Sequence, residues 1–335
     1  MTDTSIPYVL MAVQPLADLL ADSALTEIMV VGEQGVWVER QGVGMEKTPL
    51  RLNRLQIDGI VAHLAHLSHR EADLQGVGGH AIISARLPGF RVEAQMPPVA
   101  VDGPYLSFRR HHPRAMALED AVAEGDLPSD VATFLQAAVR ARSNVLVVGG
   151  TGSGKTTLLN ALIREVDRDD VLILIETVPE LRVEHENVRR LEADDEQGYT
   201  VQRLVKSALR SRPDRILIGE VRGGEAFDFM DAANTGHPGA MGSLHANSAL
   251  EGLQRFENLV LEGRPHMPLD AIRQRIGGTF DLLVHMERAH VLGRPRRRVR
   301  EVVRLDGYEA TRARYLTRTI HSATDASPPP SKATS

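Results

Sequence analysis

The sequence predicts an α/β chain in two parts: a small α+β domain over residues 1–108, and a larger domain over 118–321 on a mainly parallel sheet covered on both faces. Three observations predict it. From Leu118 onward apolar runs alternate with helical stretches. Those runs are short and unbroken, the mark of strands buried on both faces. One of them, Val145 to Val148, passes through a glycine-rich loop into TLLNALI, a strand–loop–helix succession.

In the first part, Ile28 to Val31 and Val36 to Glu39 are β-rich runs around Gly-Glu-Gln-Gly, a hairpin signal. Ile57, Ile60, Val61, Leu64 and Leu67 recur at helical spacing and predict one amphipathic helix. Ala81 to Leu87 and Phe90 to Met96 flank Pro88-Gly89 as a second hairpin, and Tyr105 to Phe108 reads as a further strand. The charged, proline-bearing stretch from Arg109 predicts a linker over 109–117.

In the second part a helix starts at Ser129. Val171 to Ile175, Ile216 to Ile218 and Ala240 to Leu244 are further strands. Val201, Leu204, Val205 and Ala208 share one helical face, and Ser248 to Glu251 is a capping box. The Ser-, Thr-, Ala- and Pro-rich tail, 322–335, reads as disordered.

Composition excludes several classes. The chain of 335 residues has 39 basic and 44 acidic residues, a net charge of -5, so it carries no strong nucleic-acid signature. With no cysteine, disulfides and thiolate zinc sites are out. The N-terminus lacks a basic signal-peptide start, and no apolar run approaches the length of a membrane span. These features predict a cytoplasmic protein.

Gly149, Gly150, Thr151, Gly152, Ser153, Gly154, Lys155 and Thr156 fit G-x-x-x-x-G-K-[ST] at every fixed position, with Thr157 following. Glycines let the backbone wrap phosphate oxygens, and inward N–H groups with the helix dipole favour an anion. The expected ligands are ATP and Mg²⁺, with Lys155 on the β- and γ-phosphates and the Thr156 hydroxyl on the metal.

Two apolar strands end in acids: LILI at Glu176, with Glu180 four residues on, and RILI at Gly219-Glu220. In a parallel sheet both fall on the rim that holds the loop. One strand-end acid is ordinary solvation; two in one domain point to metal and water handling. Glu220 is the expected metal ligand beside Thr156. His245 follows another strand onto the same rim, a candidate phosphate sensor or polar link to Glu220. His237 is a weaker candidate in a loop.

GGTGSGKTTLLNAL, followed by RPDRILIGEVRGGEAFDFMDAANTGHPGAMGSLHANS, resembles the type II/type IV secretion ATPases, most closely the conjugal-transfer ATPases of the TrbB type. The resemblance implies a RecA-like ATPase domain and a homo-hexameric motor. It also implies inner-membrane partners belonging to a secretion or transfer machine, with peripheral membrane association through them. It implies Glu180 as the water-activating base, at the end of a box whose expected second acid is here Thr177, and Glu220 and His245 as the ends of two further boxes. It places N-terminal arginines near the phosphates, which makes Arg91, Arg109 and Arg110 candidates, with Arg222 a further one. The other readings are a pilus or type II secretion motor and, from a different class, a nucleic-acid translocating ATPase using Arg294 to Arg300, a segment that otherwise reads as an exposed turn before a strand.

Overall fold

The computed structural model describes residues 13–40, 43–68, 72, 74, 79–110, 116–195, 197–291 and 294–323. The chain divides into two compact units, Met1–Pro113 and Arg114–Ser335.

The first unit has a short helix α1 (Ala17–Ala21), then strands β1 (Leu25–Val31), β2 (Gly35–Arg40) and β3 (Gly44–Lys47), and helix α2 (Arg54–Leu67). Strands β4 (Ile82–Leu87), β5 (Phe90–Gln95) and β6 (Tyr105–Arg110) complete an antiparallel sheet of order β3-β2-β1-β6-β5-β4. Alternation along β4 and β5 sends Ile83, Ala85, Val92 and Ala94 inward, where Ile57, Ile60, Val61 and Leu64 of α2 meet them. Asn53 caps α2 by accepting from the Gln56 amide, and the Gln56 side chain returns the contact.

In the second unit α3 (Leu118–Ala123) and α4 (Ser129–Arg140) precede β7 (Val145–Gly149) and α5 (Lys155–Ile163). Strands β8 (Leu172–Glu176) and β9 (Val188–Glu192), helix α6 (Val201–Ala208), β10 (Arg215–Ile218), helix α7 (Glu225–Asn234) and β11 (Met241–Leu244) follow. Then come α8 (Ala249–Gly263), α9 (Leu269–Thr279), β12 (Leu282–Val291), β13 (Arg294–Glu309) and β14 (Arg314–Ser322). The sheet order is β14-β13-β12-β7-β11-β10-β8-β9. All neighbours from β12 to β9 pair parallel, and β13 and β14 add antiparallel. One face packs on α3, α4 and α5 through Val145, Val147 and Leu174, and the other on α6 to α9 through Leu146, Val148 and Ile175. The chain is therefore mixed α/β with two sheets. Among the described residues no helix is long and apolar enough to cross a membrane.

The structure departs from the sequence reading in four places. Arg109 and Arg110 belong to β6 rather than to a linker, because their backbones pair with Glu27 of β1 and with Arg91 and Phe90 of β5. Ser322 closes β14, while 111–115 and 324–335, the rest of the expected linker core and tail, lie outside the described residues. Arg294 to Arg300 is strand, not turn, since it pairs along β12. Strands β3 and β9 were not anticipated: their sequences, GMEK and VRRLE, are mostly exposed and polar edge strands with no apolar run to give them away.

One buried ion pair fixes the base of the parallel sheet. Arg215, 1% exposed, donates from Nε to Asp170 at 2.7 Å and from Nη1 to the Val139 carbonyl at 2.8 Å. This ties the start of β10 to the end of α4 and the turn before β8. Asp170→Ala leaves a guanidinium buried without its counter-charge, so denaturant unfolding is expected to register a loss of about 3–5 kcal/mol. Asp170→Asn, which keeps an acceptor, should lose less.

Candidate functional site

The parallel register brings the C-terminal ends of four strands to one rim: the loop after Gly149 on β7, Glu176 on β8, Gly219-Glu220 after β10 and His245 after β11. The loop turns on Gly152 and Gly154, at φ +70° and +100°, values that L side chains rarely adopt. Gly154 sits at the N-cap of α5, so the helix opens directly out of the loop.

Lys155 is buried at the first turn of α5. Its Nζ donates to the carbonyls of Gly149 at 2.9 Å and Gly150 at 3.0 Å, and lies 3.5 Å from His245 Nδ1. The far side of the imidazole, Nε2, is 2.9 Å from Glu220 Oε1. Arg222 holds the other Glu220 oxygen, donating to Oε2 at 2.7 Å. Lys155, His245, Glu220 and Arg222 thus form one polar chain across the rim. The tautomer follows from the partners: Nε2 carries the proton and donates to Glu220, and the Nδ1 lone pair faces the ammonium.

The second carboxylate group is built differently. Glu176, 4% exposed, accepts through Oε1 from the amides of Glu180 and Leu181, both at 2.9 Å. It folds the following loop back so that Glu180 Oε2 comes 3.4 Å from the Thr156 hydroxyl. The same side chain explains Gly219. A Cβ there would lie 2.9 Å from Glu176 Cγ and 3.2 Å from its Oε1, so no acid fits at that position. The structure makes Glu176 the support of Glu180.

Burial is the main cause of the shifts at Lys155, His245 and Glu176. It holds Lys155 below the ordinary lysine value, with Glu220 pulling back up. It lowers His245, with Lys155 adding to the effect and Glu220 opposing it. It raises the Glu176 carboxyl, partly offset by the amides of Leu181 and Glu180. Arg222 is raised by its bond to Glu220.

The expected ligands fit these residues. The buried Ser153 hydroxyl has no protein partner, an orphan inside a loop that an anion would fill. Thr156, Glu180 and Glu220 present hard oxygen donors of the kind Mg²⁺ takes when phosphates complete its shell. Among the described residues no group of three or more His, Cys, Asp or Glu could hold a metal without such help. Thr151 and Gly150 are exposed, while Thr157 is half-buried in the first turn of α5.

Other candidates fall elsewhere. His237 Nδ1 lies 3.3 Å from the Ala232 carbonyl at the end of α7, where it braces its own loop. In the first unit Arg110 is a clamp: it donates to the carbonyls of Leu25, Leu20 and Asp22 at 2.8, 2.6 and 2.9 Å and lies 4.3 Å over the Phe90 ring. Here the fork serves its own unit, tying β6 to the segment from Leu20 to Leu25. Arg91 and Arg109 are direct cross-strand partners, and Arg86 of β4 is paired with Arg91 in the same row. The alternation of β4 from buried Ile83 and Ala85 puts Arg86 on the exposed face.

A lysine-bearing glycine loop flanked by carboxylates at the C-terminal rim of a parallel sheet is the arrangement by which α/β folds receive nucleotides. The chain belongs to the type II/IV secretion system protein family, whose model matches residues 11–289. It is 37% identical over 294 residues to the conjugal transfer protein TrbB of Rhizobium radiobacter, covering 86% of each chain. It is 31% identical over 331 residues to the type IV secretion system protein VirB11 of Bartonella henselae, covering 86% of this chain and 91% of that one. Among solved structures, the ATPase DotB of Legionella pneumophila shares the fold, with a TM-score of 0.62 at 20% identity over 91% of this chain and 82% of that one.

The polar chain makes His245 an electrostatic reporter. By NMR its ring should titrate below the ordinary 6.5. Lys155→Met removes a neighbouring cation and should raise the midpoint; Glu220→Gln removes the stabilising anion and should lower it further. A midpoint that moves with neither variant would break the chain as described.

Proposed function

We propose that this chain is a RecA-like P-loop ATPase that converts ATP and water to ADP and phosphate. In this reading it works as a homo-hexameric motor of a type IV secretion or conjugal-transfer machine, driving pilus assembly or substrate transfer. Its place is the cytoplasmic face of the inner membrane, where membrane components of the machine hold it. The observation that carries the reading is the Lys155–His245–Glu220 contact. It couples the side chain aimed at the terminal phosphates to a carboxylate from another strand, as phosphoryl transfer requires of a site that works by positioning and charge.

Each residue has a task in this reading. The loop amides and Lys155 cradle the phosphates, and Lys155 exchanges its two carbonyl partners for phosphate oxygens. Thr156 and Glu220 hold Mg²⁺, which when bound neutralises phosphate charge. Glu180, held by Glu176 beside Thr156, orients and deprotonates the attacking water. His245 passes a change at the phosphate end from Lys155 to Glu220.

The nucleic-acid reading loses its main support. Within the segment Arg294 to Arg300, Arg298 and Arg300 pair with Glu287, and Arg296 with Asp126 and the Glu124 carbonyl.

The test is Mg²⁺-dependent ATP hydrolysis by the purified protein. Lys155→Ala should abolish turnover and strongly weaken ATP binding. Glu220→Gln should bind ATP yet turn over at least about 10²-fold more slowly, the usual scale for losing one such group. Equal loss of binding and turnover would make Glu220 structural.

Arg91 and Arg109 are proposed to meet the phosphates of a neighbouring copy, a task suited to the guanidinium fork. Alanine at either should abolish turnover while sparing ATP binding. Mixing that variant with Lys155→Ala protein should restore part of the activity; subunit exchange without rescue would place the arginines in their own copy's site or nowhere in it.

A further inference from the structure

The β12–β13 hairpin lies beside the glycine-rich loop on the side opposite Glu220 and His245. Strand β12 pairs with β7 as far as Met286 opposite Gly149, and its pairing with β13 runs on beyond that point through Glu287, Arg288 and Ala289. The arm therefore overhangs the loop. A Cβ on Gly154 would lie 3.2 Å from Met286 Cε and 3.3 Å from Arg297 Cδ, and one on Gly152 would lie 4.0 Å from Arg288 Nη1.

Arg288 and Arg297 are direct cross-strand partners. Both are exposed, and neither makes a hydrogen bond or ion pair among the described residues. Asp126 feels the charge of Arg297 only as a field that lowers its proton affinity against burial. Arg296, Arg298 and Arg300 of the same arm differ, since each holds an acid. Two like charges set opposite one another on a ladder repel, so the pair is unfavourable until something electron-rich sits against it. The side chains that fix the arm, Met286 and Val299, are buried, so its position does not depend on that pair.

We propose that Arg288 and Arg297 form the nucleoside wall of the site, laying their guanidinium planes against the base and ribose of the bound nucleotide. The proposal rests on the glycine loop holding the phosphates. With Lys155 and Glu220 taking the terminal phosphate on the β11 and β10 side, the nucleoside leaves the loop along the rim toward β12. There it meets two planar cations. Guanidinium planes stack on any base, so the wall grips the nucleoside with little choice among bases.

The experiment is calorimetric binding of ATP, GTP and inorganic tripolyphosphate to the full-length protein and to Arg288→Ala, Arg297→Ala, Arg297→Lys and Lys155→Ala. Thermal melting checks that the variants are folded. Each alanine variant should weaken ATP and GTP alike by about tenfold, the scale of one lost stacking contact. Arg297→Lys, which keeps charge without the plane, should weaken both nucleotides while leaving tripolyphosphate within about threefold of the unsubstituted protein. Unchanged ATP affinity in both alanine variants overturns the proposal. So does an equal loss of ATP and tripolyphosphate that lysine fully restores, which would make the arginines a charge field only. Lys155→Ala separates the premises: loss of all three ligands there keeps the loop reading standing whatever the arginines do, and retention of all three overturns loop and wall together.

Discussion

The arrangement of the site depends on burying one ammonium group. Lys155 sits at the first turn of α5, where the helix dipole is positive and solvent is largely excluded, the place least hospitable to a cation. It is held there by donating to two loop carbonyls and by facing an imidazole whose other nitrogen leans on Glu220. Each of these partners is displaceable. An incoming polyanion would satisfy the lysine, the loop amides and the Ser153 hydroxyl together.

Bringing these partners together needs strand ends in register, and the parallel sheet supplies it. Because β7, β11, β10 and β8 pair without offset in direction, their carboxyl ends deliver a lysine loop, a histidine, and two acids to one edge, while each strand's body is apolar on both faces. The close approach of Glu176 to Gly219 shows how tightly the edge is packed. An acid directly at the end of β10 is sterically excluded, so the carboxylate moves one residue on, to Glu220, where Arg222 and His245 can each hold one oxygen. The absence of an acid at position 177 has the same explanation in reverse: Thr177 is exposed, and the work of shaping the loop is done by the buried Glu176.

What the sequence made legible follows a physical rule. Strands buried on both faces announce themselves as unbroken apolar runs, so β7, β8, β10 and β11 were placed to within a residue or so, and the rim with its Glu180, Glu220 and His245 came with them. The hairpin β12–β13 did not. Its outer half is rich in arginine, and a charged run looks like a solvated turn until pairing partners are known; only the alternation of Met286 and Val299 with charged neighbours hinted at strand. Arginines were the least legible side chains for a related reason. A guanidinium reaches far, so its role is set by whichever acceptor lies within that reach, and Arg110 found three carbonyls that no local pattern reveals.

The distribution of paired and unpaired cations carries the last step. Arg215 and Arg298 each hold a carboxylate, and Arg110 a set of carbonyls, all within their own units. Two pairs instead face like charge across a ladder: Arg91 with Arg109 in the first unit, and Arg288 with Arg297 in the second. Ladders of like charge cost stability wherever they are not answered. The first is answered in part, because Glu27 of β1 stands opposite Arg109 on its other side, whereas Arg288 and Arg297 have no acid partner among the described residues and suit an electron-rich ligand that comes and goes. The proposed loop and wall then both lie in the second unit, along one sheet edge where β12 pairs with β7.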